Sequence, residues 1–319
     1  DENSDLFHAV PWSHGTLGFL VAVTLRIIPA SPYVKIDYIP CSSHETFVKT
    51  FEDAVQNKTG EFVEGIAYSL NSGVVMIGNF AENPEGSVST LFHENQINDI
   101  GTYYKPWFFK HVEDVLNVGA TKTEYIPLLS YYHRHTRSLF WELEDVIPFG
   151  NNPVFRLLFG WTVPPKVSFL KLTQPAAVKK LYEEHQLIQD MIVPLKSLSD
   201  ALHTFHDQVE IYPLWLCPSV ILAQPGLVHP SSKEHEMYVD VGAYGTPAKP
   251  YSPRETTRRI ESFVRSVHGF QMMYADTYMD KTEFWEMFDP VLYNEMRTKY
   301  DCHDAFPDVY SKVCKSARE

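Results

Sequence analysis

The residues most able to carry chemistry lie in one aromatic and basic string. Residues 131–137 read Tyr-Tyr-His-Arg-His-Thr-Arg. Histidine and tyrosine can transfer protons when their surroundings adjust the pKa, and arginine pairs well with phosphate. His133 and His135 share a face only in a strand, and no third ligand is evident, so we expect no metal site. Both histidines could equally be surface residues or hydrogen-bonded structural residues.

This string belongs to a long segment, residues 81–186, that is rich in aromatic, proline and glycine residues. Its composition predicts irregular loops rather than a long helix, and long loops in compact domains are usually functional. Residues 154–172 are apolar with Arg156 and Lys166 interspersed. That pattern is compatible with contact to a membrane surface through aromatic and basic residues, or with a loop packed under a sheet.

Two similar runs of predicted elements flank this insert, each with a strand, a helix and two further strands. The first run has a strand at 33–40, a helix from a Ser42–Glu45 capping box to about Val55, and strands at 61–70 and 73–80. The second has a strand at 187–193, a helix capped by Ser197, and strands at 209–216 and 236–244. We therefore expect an α+β fold in which a duplicated β-α-β-β module forms one antiparallel sheet with helices on one face.

The ends of the chain predict one more strand and a helical tail. Residues 17–28 form a β-branched apolar run closed by Pro29, which predicts a buried strand. The other predicted elements are a helix at 253–268, a strand at 270–276, a helix from an Asp280–Glu283 capping box to about Tyr300, and a short terminal helix.

Bulk composition narrows the function. The chain has 319 residues, of which 44% are hydrophobic, as in folded domains. Its formal net charge of −13 argues against a nucleic-acid partner, since phosphate binding needs a basic surface. The four cysteines are far apart in the sequence, so we expect neither a disulfide framework nor a zinc site. Aromatic residues make up 14% of the chain, which suits either a pocket for an apolar ligand or an aromatic core.

Three segments resemble known flavoproteins. Residues 4–20, which include Gly15-Thr16-Leu17-Gly18, resemble the closing segment of the FAD-binding domain in vanillyl-alcohol-oxidase-type flavoproteins. The aromatic insert and residues 263–310, with Glu-Phe-Trp-Glu-Met-Phe-Asp at 283–289, resemble the delta-24 sterol reductases, also called 24-dehydrocholesterol reductases. The resemblance covers essentially the whole chain.

The resemblance implies a division of the chain into three parts. Residues 1–30 would be the C-terminal end of a PCMH-type FAD-binding domain. Residues 31–276 would form a cap and substrate domain that contains the insert. Residues 277–319 would be a helical segment that packs back toward the FAD domain. The glycine-rich loop for the FAD diphosphate and the N-terminal membrane anchor of the family are not in this sequence, which resembles a C-terminal fragment.

The implied activity is FAD-dependent, NADPH-using reduction of the C24=C25 double bond of sterol intermediates in cholesterol biosynthesis, at the endoplasmic reticulum membrane. Because the FAD domain is incomplete here, we expect this chain alone to bind FAD poorly and to be inactive. Two alternatives differ from this hypothesis. One is a flavin oxidase of the same superfamily, which would produce hydrogen peroxide, and the other is a non-catalytic sterol- or lipid-binding or scaffold protein.

The resemblance also yields candidate site residues. The backbone expected to approach FAD is that of Gly15, Thr16, Leu17 and Gly18, and the side chains expected to attract NADPH phosphates are Arg134 and Arg137. The apolar slot for the sterol would draw on Trp107, Phe108, Phe140, Trp141 and Phe159, although each could instead be a core residue. The candidate proton donors are Tyr132, His133, His135 and Tyr278.

Overall fold

The computed structural model describes residues 3–82, 97–163 and 185–318. Its centre is an eight-stranded sheet with strand order β4-β1-β3-β2-β6-β7-β5-β8, in which each strand is antiparallel to its neighbours. The strands are β1 Tyr33–Cys41, β2 Phe62–Ser69, β3 Ser72–Ala81, β4 Lys122–Pro127, β5 Leu187–Pro194, β6 Leu214–Ile221, β7 Glu236–Gly245 and β8 Phe270–Gln271.

Eleven α-helices accompany the sheet in the described ranges. They are α1 Ser4–Ala9, α2 His44–Gln56, α3 Phe108–Val118, α4 Leu128–Tyr132, α5 Glu142–Val146, α6 Pro153–Phe159, α7 Leu198–Gln208, α8 Pro253–Ser266, α9 Lys281–Met287, α10 Val291–Lys299 and α11 Val309–Val313. Among these helices, none is long and apolar enough to span a membrane.

The sheet consists of two units with the same topology. In the first unit, β1, α2, β2 and β3 follow one another, and β3 lies between β1 and β2. In the second, β5, α7, β6 and β7 follow one another, and β7 lies between β5 and β6. Pairing of β2 with β6 joins the units. The predicted duplicated module and the single antiparallel sheet are therefore confirmed.

Different elements cover the two faces of the sheet, whereas the sequence predicted helices on one face only. Helices α2, α7 and α8 pack on one face through residues such as Phe51, Phe205 and Ile260. The insert covers much of the other face, where α3 packs Phe108 and Val112 against β1 and β3. The prediction of loops alone in the insert was wrong here, because apolar residues at helical spacing give α3 a buried stripe.

Residues 17–28 do not form the predicted buried strand. Within the described chain this segment pairs with no strand, and Val21 and Ile27 are 91% and 90% exposed. Its β-branched composition favours an extended backbone, but a strand is stable only when hydrogen-bonded to a neighbour. The predicted buried strand was therefore wrong, because a strand also needs a neighbour with which to pair.

Several predicted boundaries also needed correction. Strand β6 begins at Leu214 rather than at 209, because the N–H of Val209 still bonds to the carbonyl of Phe205 at the end of α7. Only two residues of the predicted strand at 270–276 pair, as β8.

Helix capping was predicted with mixed success. The cap of α2 is Ser43, whose Oγ accepts from the N–H of Thr46, so the Ser42–Glu45 prediction was one residue early. The Asp280–Glu283 capping box of α9 is confirmed. The helix predicted to continue to about Tyr300 is split, since Pro290 lacks the N–H that a continuous helix would need.

A buried arginine ties the N-terminal segment to the C-terminal helices. Arg297 of α10 donates through Nη1 to the carbonyl of Thr16 at 2.7 Å and through Nη2 to the carbonyl of Phe306 at 2.7 Å. The hydroxyl oxygens of Thr16 and Tyr293 are 2.6 Å apart. Residues 13–18 are therefore packed on α10 by polar contacts that are shielded from solvent.

Replacing Arg297 by Met should destabilise the protein, because it removes the donors from several buried carbonyls. We expect the free energy of unfolding to fall by about 2–4 kcal/mol, measured by chemical denaturation followed by circular dichroism. Lys299→Met, at an exposed position on the same helix, is the matched control and should change little. Equal stabilities for the two variants would contradict a structural role for Arg297.

Candidate functional site

Four carboxylate-bearing residues lie on the sheet face that the insert partly covers: Glu64 on β2, Glu124 on β4, Asp190 on β5 and Asp240 on β7. Glu64, Glu124 and Asp190 are buried, and Asp240 is half-buried. A carboxylate inside a protein must be neutralised, hydrogen-bonded or protonated. The surroundings of each group therefore decide its charge.

Glu64 is held by three side chains, which together with it form the ion-pair cluster. Its Oε2 accepts from Arg134 through Nη2 at 2.7 Å and Nε at 3.0 Å. Its Oε1 accepts from Nε2 of His135 at 2.5 Å and from Nε1 of Trp215 at 2.7 Å. Burial alone would raise the pKa of Glu64, but the charges and hydrogen bonds of Arg134 and His135 lower this pKa to about 2. The ion-pair cluster therefore keeps Glu64 ionised.

Glu124 is ionised for a similar reason. Its Oε1 accepts from the Tyr38 hydroxyl at 2.6 Å and from Nε2 of His111 at 2.7 Å, while its Oε2 pairs with Nζ of Lys122 at 2.9 Å. Burial raises the pKa of Glu124, yet these partners lower it to about 2. Both carboxylates on the covered half of the sheet face are therefore satisfied by cations and donors.

The second pair of carboxyl groups has a different environment, which we call the acid cluster: Asp190, Asp240, Tyr244 and Tyr274. The hydroxyls of Tyr244 and Tyr274 donate to the two carboxylate oxygens of Asp190. Gly242 lies opposite Asp190 in the β5–β7 register. A Cβ at Gly242 would lie 2.5 Å from the Tyr244 hydroxyl and 2.8 Å from Oδ1 of Asp190, so the residue must be glycine for this contact to form.

Asp240 is the carboxyl group without such support. Its Oδ1 is buried and has no hydrogen-bond partner among the described residues. Burial, together with the nearby charge of Asp190, raises the pKa of Asp240 to about 8. Its cross-strand neighbour Cys217 is a neutral thiol, since burial raises the pKa of Cys217 to about 12. Asp240 therefore carries a proton near neutral pH and can act as an acid.

Tyr274 is the solvent-exposed member of the acid cluster. Tyr274 is 57% exposed, and Ile188, on the same strand as Asp190, is 40% exposed. Tyr274 and Ile188 line a pocket of ≈ 320 Å³ together with Tyr251 and Tyr278. This pocket lies within the size range of small-ligand sites and presents mostly aromatic and aliphatic surface. Tyr274, which donates to Asp190, links its wall to the acid cluster.

The candidate proton donors named from the sequence are scattered in the structure. Tyr132 and His133 are exposed on the insert, and His135 is buried against Glu64. Burial lowers the pKa of His135 although Glu64 acts in the opposite direction. Tyr278 alone lies near the acid cluster, with its hydroxyl 3.2 Å from Nζ of Lys315. A donor role for any of these four residues stays a prediction.

The two arginines proposed for NADPH already have partners within the protein. Arg134 is paired with Glu64, and Arg137 donates to the carbonyls of Thr102 at 2.7 Å and Tyr103 at 2.6 Å. Binding a phosphate at either guanidinium would require some of these bonds to be exchanged. Their contact with NADPH stays a prediction.

The predicted substrate aromatics separate into three groups. Trp107, Phe108 and Trp141 are fully buried core residues, and Phe159 is largely exposed. Phe140 stacks on His135 with ring centroids 4.5 Å apart and lies 5.1 Å from the ring of Tyr244. Phe140 thus connects the ion-pair cluster to the acid cluster.

The glycine segment is partly open to a ligand. Gly15 and Gly18 have φ of +69° and +147°, and a Cβ at Gly18 would meet nothing within 4 Å. The Thr16 side chain is buried, and the carbonyls of Thr16 and Leu17 accept from Arg297 and Cys302. A flat cofactor could therefore approach the backbone at Gly15 and Gly18, but not the side chain of Thr16.

Sequence reasoning missed the whole acid cluster and Glu64. The available signal was an acidic residue in the middle of an apolar strand, as in Leu-Ile-Gln-Asp-Met-Ile-Val at 187–193 and Tyr-Val-Asp-Val-Gly at 238–242. Because a strand buried on both faces gains nothing from an isolated carboxylate, such a residue points to a site.

Comparison with known proteins gives the family relationship. Delta(24)-sterol reductase from Homo sapiens is 57% identical over 318 residues, which cover 99% of this chain. Delta(24)-sterol reductase homolog dhcr-24 from Caenorhabditis elegans is 48% identical over 99% of this chain, and Delta(24)-sterol reductase from Arabidopsis thaliana is 39% identical over 100% of this chain. The chain spans 60% of the length of each of these relatives. No family model matches the chain.

The class of protein follows from these similarities, because the relatives are sterol reductases. Within that class, the chain is homologous over nearly its whole length to the Delta(24)-sterol reductases. The resemblance predicted from the sequence is confirmed.

Glu64 should contribute acid-sensitive stability. Its folded pKa of about 2 lies below the ordinary value of 4.5, so its stabilising effect is present above pH 4.5 and is lost as the pH falls toward 2. This shift corresponds to about 3 kcal/mol. We expect Glu64→Gln to lower the free energy of unfolding near neutral pH and to flatten its decline in this acid range, measured by denaturation at several pH values. Glu295→Gln, at an exposed site, should leave the acid decline unchanged; a decline as steep in Glu64→Gln would contradict the assignment.

Proposed function

We propose that this chain is the substrate-binding part of an FAD- and NADPH-dependent reductase that saturates the C24=C25 double bond of sterol intermediates in sterol and cholesterol biosynthesis. The observation that carries the proposal is the 57% identity, over 99% of the chain, to a Delta(24)-sterol reductase. Since the chain spans 60% of that relative, the activity is proposed for the complete protein. We also propose that the complete protein acts at the endoplasmic reticulum membrane.

In this proposal residues 1–30 end the FAD-binding domain, and residues 31–276 form the cap domain over the flavin. Residues 277–319 pack back toward the FAD domain, as the contacts of Arg297 with Thr16 suggest. Gly15 and Gly18 are the positions open enough to approach the cofactor. When bound, FAD would supply a hydride and would be reduced again by NADPH.

The chemistry requires an acid beside the alkene. The C24=C25 bond is not polarised by a carbonyl group, so hydride addition is slow until a proton reaches the less substituted carbon, C24. Positive charge then develops at C25, the more substituted carbon, which accepts the hydride. Asp240 suits this role because it is protonated near neutral pH and adjoins Asp190, which accepts a hydrogen bond from Tyr274 in the wall of the pocket. Solvent would restore its proton after each turnover.

The other members of the acid cluster help Asp240 to keep its proton. Tyr244 and Tyr274 stabilise Asp190 as an anion by donating to its two oxygens. The negative charge of Asp190 raises the pKa of Asp240 further, beyond the effect of burial. The exposed ring of Tyr274 and the side chain of Ile188 would contact the apolar end of the sterol.

Asp240→Asn should therefore impair the reaction more than binding. In the complete protein with FAD, NADPH and a sterol that has a C24=C25 double bond, we expect kcat to fall by about 100-fold while KM for the sterol stays similar. In the unmodified enzyme, kcat should fall as the pH rises through about 8, since Asp240 must be protonated to react. Product formed in deuterated water should carry deuterium at C24, measured by mass spectrometry.

The control is Asp207→Asn, at an exposed position on α7. An unchanged kcat in Asp240→Asn, with the deuterium still at C24, would exclude Asp240 as the donor and leave the reductase proposal intact. Sterol binding without any reduction by the complete protein would exclude the reductase proposal itself and favour the non-catalytic lipid-binding alternative.

A further inference from the structure

A second surface of the molecule is apolar and lies on the insert. Six large apolar side chains there are at least half exposed, and we call them the apolar patch: Phe149, Val154, Leu157, Leu158, Phe159 and Trp161. Helix α6, which carries four of them, has no buried residue. Exposed apolar side chains are normal singly, but such a cluster marks an interaction surface.

The apolar patch rests on a firmly packed base. A Cβ at Gly150 would lie 2.6 Å from the ring of Trp107, and one at Gly160 would lie 2.5 Å from the carbonyl oxygen of Tyr103. The N–H of Trp107 also donates to Oδ1 of Asn151 at 2.9 Å. Close packing on both sides of α6 therefore fixes this backbone while its apolar side chains face outward.

The segment that carries the apolar patch has no acidic residue. Residues 146–163 contain no Asp or Glu, and Arg156 is their one basic residue. Arg156 is half-buried, and its Nε and Nη1 atoms are buried without a hydrogen-bond partner among the described residues. Its side chain would have to turn outward to use these two donors. A guanidinium beside apolar side chains is suited to a phosphate group at an apolar boundary.

We propose that the apolar patch docks on the surface of an anionic phospholipid bilayer. Leu157, Leu158 and Trp161 would enter the boundary between headgroups and acyl chains, where aromatic and aliphatic side chains are both favoured. Arg156 would turn outward and pair with a lipid phosphate. A second copy of this chain fits less well, because two such patches would bring like charges together. This inference does not depend on the proposed reaction.

Trp161 provides the test. It is 70% exposed, whereas Trp107 and Trp141 are buried and the remaining three tryptophans are half-buried. The chain would be mixed with vesicles of phosphatidylcholine and phosphatidylserine, some carrying bromine on their acyl chains. We expect a blue shift and quenching of the tryptophan emission that Trp161→Phe abolishes. Leu157→Glu with Leu158→Glu should weaken vesicle binding by about tenfold or more.

Val118→Glu is the matched control, since Val118 is also exposed but lies outside the apolar patch; it should bind vesicles as the unmodified chain does. Equal binding by the Leu157/Leu158 variant would mean that another surface, such as residues 19–28, is responsible, and would overturn the proposal. So would a dimer that the same substitutions dissociate in the absence of vesicle binding. The measurement is repeated with the complete protein, in which loss of acyl-chain quenching at Trp161 would show that another segment covers the patch.

Discussion

The structure depends on how one face of a sheet accommodates four carboxyl groups. A carboxylate in an apolar interior is unstable unless it gains partners, and the molecule provides two different solutions. Glu64 and Glu124 receive cations and donors and remain ionised. Asp190 receives two tyrosine hydroxyls but no cation among the described residues, and Asp240 receives neither. The proton on Asp240 is the consequence of this unequal distribution.

The insert causes this difference between the two pairs of carboxyl groups. The two β-α-β-β units have equivalent topology, so a symmetric sheet would treat both halves of this face alike. The insert contributes Arg134, His135 and His111, and all of them contact carboxylates of the first unit or of β4. Where the insert meets the second unit, the aromatic rings of Phe140 and Trp141 pack against Tyr244. The carboxylates of one half of the face are therefore neutralised by cations, and those of the other half are not.

The sequence predicts those features whose causes are local. Alternating apolar residues and helix caps give the two modules, α8 and the capping box of α9, because each depends on residues a few positions apart. The acid cluster is different, since Asp190 and Tyr244 meet only through the register of β5 with β7. Glu64 and Arg134 are likewise 70 positions apart. Residues 17–28 show the converse limit, because their β-branched composition predicted a strand but the described chain provides no neighbour for it to pair with.

Burial has opposite effects on the pKa of a carboxyl group and on the pKa of a histidine, the two kinds of proton donor that this site offers. An apolar environment disfavours the charged form, so it raises the pKa of a carboxyl group and lowers that of a histidine. Burial lowers the pKa of His135, which favours loss of the proton that a histidine would need to donate, whereas burial raises the pKa of Asp240 to about 8 and preserves its proton. A protonated carboxyl group is also neutral, so an apolar substrate can cover it without stranding a charge. An acid that must work beside a hydrocarbon chain is therefore better provided by an aspartic acid on an apolar strand than by a histidine.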